Sequence, residues 1–175
     1  MHILLSLIAA LSFLAFFVLR ARGRIDAARD VAHASEDLRD AVKRFGAKRA
    51  AGRHPADVVD DARLAAAGMM AAIARMDGAF TKVQIDALRV ECRAAFRVVQ
   101  KDADEIAAFG RWLAEECDDV EEALLRLGAR VRELASEEAQ SDLIGMLERI
   151  AAAEGGVSPE QRRAIDDVRR QLLEA

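Results

Sequence analysis

The sequence predicts an all-α fold: an N-terminal transmembrane helix followed by a bundle of about six helices with an internal pseudo-repeat. Three observations predict it. Alanine and leucine are abundant, tyrosine is absent, only Pro55 and Pro159 interrupt the chain, and no alternating Val/Ile/Thr run reads as a strand. Residues 3–19 carry no charge, and Ser6 and Ser12 are their only polar members. A short helix-corner motif occurs twice. Met76-Asp77-Gly78-Ala79-Phe80-Thr81-Lys82-Val83-Gln84 is echoed, 77 positions later, by Ala153-Glu154-Gly155-Gly156-Val157-Ser158-Pro159-Glu160-Gln161. Each copy follows an Ala-rich apolar stretch, Leu64 to Met76 and Leu143 to Ala153.

The apolar run has the length of a short membrane span, which takes roughly 17–25 residues. A cleaved signal peptide puts positive charge before its apolar run and small residues at a cleavage site after it. Here only His2 precedes the run, while Arg20, Arg22 and Arg24 follow it. Ala21-Arg22-Gly23 breaks the small-residue pattern. Residues 1–22 therefore read as an uncleaved anchor whose partner is the lipid bilayer, through residues 3–19. The arginines place the N-terminus outside and the rest in the cytoplasm, as a single-pass protein of a bacterial inner membrane.

Residues 23–53 read as a basic juxtamembrane helix and linker. Ile25, Val31, Leu38, Val42 and Phe45 recur at helical spacing up to Gly46, and Gly46 to Pro55 breaks the pattern. From Arg20 to Arg53 there are 10 Lys/Arg against 5 Asp/Glu; from His54 to Ala175 there are 16 against 25. The arm suits anionic headgroups, at about 1 kcal/mol per nearby cation. The acidic body, residues 54–175, excludes nucleic acid as a partner, since nucleic-acid binders carry a basic face.

Within the body, the first helix is expected from Asp57 to Met76 with Val58, Val59, Leu64, Met69, Met70 and Ile73, apolar on most sides as a central helix is. Gly78 ends it, Thr81 caps the next helix and Gln84 sits at its third position, a capping box. That helix is expected to run to Gln100, presenting Val83, Ile85, Leu88, Cys92, Phe96 and Val99. Helices follow over Ala103–Glu116 (Ile106, Phe109, Trp112, Leu113) and Val120–Leu134 (Leu124, Leu125, Leu127, Val131). Ser136 caps a helix to Ala153 with Leu143, Ile144, Leu147 and Ile150 facing inward. Gly155 and Gly156 end it. Ser158, Pro159 and Gln161 then open the last helix as cap, first residue and box partner, with Ile165, Val168, Leu172 and Leu173 on its inner face.

The residues give little for catalysis. His2, His33 and His54 all precede the body helices, and the chain lacks metal-protease, phosphate-loop and nucleophile-elbow motifs. Cys92 and Cys117 form no CxxC pair, and in a reducing compartment they read as small core residues. The run Glu115, Glu116, Asp118, Asp119, Glu121 and Glu122 reads as a solvated helix face, or as an acidic patch that docks a basic protein partner.

The paired corners resemble those of the tellurite-resistance TerB-like family, a helical domain also found in membrane-anchored DjlA-type co-chaperones. The family pattern is an Ala-rich helix followed by Ala-Asp-Gly-Glu-Val-Ser-x-x-Glu. Residues 147–165 carry the fuller copy and residues 70–88 the other, and the resemblance spans about residues 57–173. It implies a helical bundle, a link to envelope or chemical stress, and an acidic cluster associated with divalent metal. This chain departs from that cluster. Ala79 and Gly156 replace the Glu after the glycine, and Gln84 and Gln161 replace the later Glu. Asp77 and Glu154 remain at matched positions, with Glu160 one residue off register. Calcium takes about six to eight oxygen ligands, so two acids are a thin set. The corner residues Asp77, Gly78, Thr81, Gln84, Glu154, Gly155, Ser158 and Gln161 are accordingly read as structural, with no cofactor. The alternative is a divalent cation such as calcium on Asp77 and Glu154. His54-Pro55-Ala56-Asp57 is not the His-Pro-Asp loop of a J domain, because Ala56 interrupts it. The expectation is thus a non-catalytic, membrane-anchored interaction module, with a divalent-metal sensor as the alternative.

Overall fold

The structure, a computed structural model, describes residues 54–174. The expected anchor at 1–22 and basic arm at 23–53 lie outside them. Among the described residues no helix is long and apolar enough to cross a membrane.

The body opens with a 3-10 turn, Pro55–Val58, in which His54 Nδ1 accepts a hydrogen bond from the Ala56 N–H at 3.2 Å. Helix α1 spans Ala62–Arg75. It starts later than the expected Asp57, because the Asp61 carboxylate accepts the Arg63 N–H at 2.8 Å and makes Asp61 the N-cap. Val58 and Val59 still reach the core, from the turn rather than from the helix.

Every residue of α1 from Leu64 to Ala74 is buried. No charge interrupts that stretch, so the helix can be covered on all sides and becomes the axis of the bundle. It packs chiefly against α3 (Gln100–Glu116) and α4 (Val120–Leu134), and also against α5 (Glu137–Ala151) and α2 (Lys82–Phe96). The crossing with α3 is close because Gly110 has no side chain: a Cβ there would stand 2.5 Å from the Ala67 carbonyl oxygen. Helix α6, Pro159–Leu173, lies against α4 and α5. The described body is therefore an all-helical bundle of six helices with no strand.

Three expected boundaries move. Helix α2 ends at Phe96 rather than Gln100, because Arg97 adopts a left-handed backbone with φ 52° and breaks the ladder. Val98 then tucks into the core, and Val99 becomes the N-cap of α3, which starts three residues earlier than Ala103. Helix α5 ends at Ala151 and tightens into a 3-10 turn, Ala152–Glu154. The expected inward positions also need correction. Val83, Val99, Leu125 and Leu173 are exposed, while Leu88, Cys92, Ile106, Leu113, Leu127, Leu147 and Ile150 form the core. Both cysteines are buried thiols.

Candidate functional site

The two corners form the same local structure. Gly78 and Gly155 both take positive φ, 131° and 99°, a region that costs glycine nothing. Thr81 Oγ1 accepts the Gln84 N–H at 3.2 Å, and Gln84 Oε1 accepts the Thr81 N–H at 3.1 Å. Ser158 and Gln161 make the identical pair, at 3.2 and 3.1 Å. Two otherwise unmet N–H groups are thus satisfied reciprocally at each helix start. Phe80 of the first corner lies under the Arg111 guanidinium of α3, 5.8 Å from ring centre to Cζ.

Sequence reasoning missed what the other end of each glutamine does. Gln84 Nε2 donates to the Ala74 carbonyl at 3.0 Å, and Gln161 Nε2 donates to the Ile73 carbonyl at 3.1 Å. Both side chains are buried. Consecutive carbonyls in the last turn of α1, where helical partners run out, are therefore capped by two amides from two different helices. The amide orientation is determined by its neighbours: a backbone N–H can only donate, so the oxygen faces Thr81 or Ser158 and the NH2 faces α1. The same end of α1 caps another helix. Arg75 Nη1 donates to the carbonyls of Ala114 and Cys117, the latter at 3.1 Å, at the end of α3. The last turn of α1 is thus the junction where α2, α3 and α6 meet.

This arrangement does not suit a cation cage. The atoms that Gln84 and Gln161 turn toward the α1 carbonyls are N–H donors, and their oxygens already accept backbone N–H groups. Asp77 and Glu154 are exposed, one at each corner. Among the described residues no three His, Cys, Asp or Glu side chains group as metal ligands.

Beside the junction lies a groove of about 380 Å³ between α4 and α6. Met76, just past the end of α1, lines it together with the apolar Leu124, Ala164 and Val168, which form its buried floor. Leu125 lines it too and is 62% exposed. Glu121, Glu160, Asp167 and Arg163 line the remainder.

The acidic run from Glu115 to Glu122 is divided by the fold. Asp119 is the N-cap of α4, accepting the Glu121 and Glu122 N–H groups at 2.8 and 3.1 Å. Glu122 pairs with Arg126 at 2.7 Å. Glu121 reaches the groove, and Glu115, Glu116 and Asp118 are exposed around the buried Cys117. Elsewhere the thiol of Cys92 is pushed up to about 12 by burial and, secondarily, by Glu91. Arg149 is held protonated above its ordinary range, first by its hydrogen bonds to Glu91, both 2.8 Å.

Five helices around a buried sixth, with twin glycine corners joined at its end, define a small helical module. The chain belongs to the tellurite resistance protein TerB family, whose family model matches residues 63–173. No curated protein and no solved structure matches it.

Proposed function

We propose that this chain is a membrane-anchored, cytoplasm-facing TerB interaction module that gathers protein partners at a bacterial inner membrane during envelope or chemical stress. The observation that supports the reading is the α4–α6 groove, whose floor of buried Leu124, Ala164 and Val168 is flanked by the exposed Leu125. A concave surface with an apolar floor and a few polar groups at its edge is the usual form of a binding site. The anchor rests on the uncharged run at residues 3–19 and on Arg20, Arg22 and Arg24. The stress link rests on family membership alone. On this reading the module does no chemistry of its own.

The divalent-metal alternative would use Asp77 and Glu154, both exposed beside positive-φ glycines. Titration of full-length protein with calcium, magnesium and manganese separates the two readings. The interaction module predicts no saturable binding at millimolar metal. Binding that raises the melting temperature, and that Asp77→Ala/Glu154→Ala removes, would replace it with the sensor. The interaction reading itself is tested by deletion and by affinity capture from membranes. A stress phenotype and a specific membrane-bound partner are expected; no phenotype and no partner would overturn it.

A further inference from the structure

We propose that the outer face of α2 lies on the anionic headgroup surface of the membrane. This rests on the membrane-anchored reading and adds which face of the body meets the lipid. Helix α2 buries Gln84, Leu88 and Cys92. On its other side Val83, Ala87, Val90 and Ala94 recur at alternating spacings of four and three, which makes one line along the helix. The outer face of a bundle helix is ordinarily polar. Here Val83 is 53% and Val90 64% exposed, and Val99, just past the end of α2, is 47% exposed.

Charge selects the occupant. Residues 82–101 carry five cations, Lys82, Arg89, Arg93, Arg97 and Lys101, against two acids, Asp86 and Glu91, whereas residues 54–175 as a whole carry 16 against 25. Glu91 is only 15% exposed and accepts both bonds from Arg149. Asp86 is shared between Lys82 at 3.6 Å and Arg89 at 3.2 Å, and Arg89 also reaches Asp104 at 3.4 Å. Lys101 stands 4.0 Å from Glu105. Arg93 donates to Gln100 at 3.3 Å, and among the described residues neither Arg93 nor Arg97 pairs with a carboxylate. Beside Val90 a hollow of about 330 Å³ is lined by Arg89, Arg93, Ala94 and Gln100, with no carboxylate in its wall. Guanidinium and amide N–H groups around a hollow suit the oxygens of a phosphate headgroup. An apolar line the length of a helix, with cations spread beside it, is the pattern of a helix lying in a membrane interface. The cytoplasmic leaflet is the one that carries anionic lipid. The chain between residue 19 and His54 can span up to about 110 Å, so its length does not keep α2 from that leaflet.

The test uses full-length protein in nanodiscs of neutral phosphatidylcholine, or of phosphatidylcholine mixed with phosphatidylglycerol, each containing brominated lipid. A bimane label on Val90→Cys reports what covers the helix, since Cys92 and Cys117 are buried. Brominated lipid should quench the label at least about twofold more in the anionic discs, and added salt should remove the difference. A label on Leu125→Cys should stay unquenched in both. Val83→Asp, and separately Arg93→Gln/Arg97→Asn, should abolish most of the quenching, while the same charge change on α6, Arg162→Gln/Arg170→Gln, leaves it intact. Circular dichroism checks that each variant is folded. Equal quenching in the two lipids, no quenching in either, or equal loss in both double variants overturns the proposal. A blue shift without quenching shows that protein, a second copy or another partner, covers α2; it overturns the lipid contact and leaves the interaction module standing. Protein that dissolves without detergent removes the membrane-anchored reading. The label is then read against added vesicles of the two compositions, and absence of quenching by the anionic vesicles overturns the α2 proposal as well.

Discussion

Gln161 meets three groups at once: the Ser158 hydroxyl and N–H through its own backbone and oxygen, and the Ile73 carbonyl through its nitrogen. Replacing it with methionine keeps the shape, leaves the half-buried Ser158 N–H without its partner and leaves the Ile73 carbonyl with only the Met76 N–H, at about 1–3 kcal/mol in all. Urea unfolding of Gln161→Met should show a loss of about 1–3 kcal/mol, and Gln84→Met a similar but smaller loss, since Gln84 is slightly more exposed. Gln84→Glu/Gln161→Glu should destabilise as well, because carboxylate oxygens would then face the Ala74 and Ile73 carbonyls. Oxygen facing oxygen is what a hard cation bridges, so calcium should raise the melting temperature of the double variant and leave that of the native protein unchanged. Cys92 supplies a pH test. Its native thiol is held near 12 against an ordinary 9.0. Above pH 9 the unfolded chain ionises while the native thiol keeps its proton, so stability is retained below pH 9 and falls as pH rises from 9 toward 12. Alkylation at pH 8 should follow unfolding, rising steeply across the urea transition; rapid labelling of folded protein would contradict the burial. The caps of both glutamines were legible in the sequence because their partners lie three residues away. Their bonds to α1 were not, since Ala74 lies 10 residues from Gln84 and Ile73 lies 88 from Gln161.

Helix starts in this chain are written locally, and most were readable. Thr81, Ser136 and Ser158 cap as their spacing implies, and Asp61 and Asp119 add two more caps. Thr81→Ala and Ser158→Ala should each cost about 1 kcal/mol, and the double variant should lose the sum of the two, because the corners touch α1 through separate carbonyls. Helix ends were read less well. Arg97 carries no glycine-like signal for its left-handed turn, so α2 appeared to continue through Val99. The periodicity also overcounted the core, since Leu125 and Leu173 sit at inward-looking spacings and yet are exposed. Glycines differ in what they hold apart. Gly110→Ala drives a methyl against the α1 backbone at Ala67, and should cost about 1–3 kcal/mol. Gly128→Ala meets only the end of the Gln171 side chain. It should cost less, while freeing that amide from Leu125.

At the scale of the molecule, stability rests on the interior, and the proposed recognition on the α4–α6 groove. The buried α1 axis and its capped end hold the bundle together. The ion pairs outside, such as Arg169–Glu148 at 2.7 Å and Arg149–Glu91, are exposed and worth about 0–1 kcal/mol each, so added salt should barely move the melting temperature. The class of fold and the doubled corner were legible because they follow from composition and from short-range spacing. The groove was not, because it is made where Met76, α4 and α6 meet, at residues far apart in the chain. The most direct test of the groove as the interaction surface is hydrogen–deuterium exchange on full-length protein in nanodiscs, with and without the partner captured from membranes. The groove predicts slowed exchange confined to residues 121–128 and 160–171. Unchanged exchange there, or protection centred on α2 instead, would contradict it.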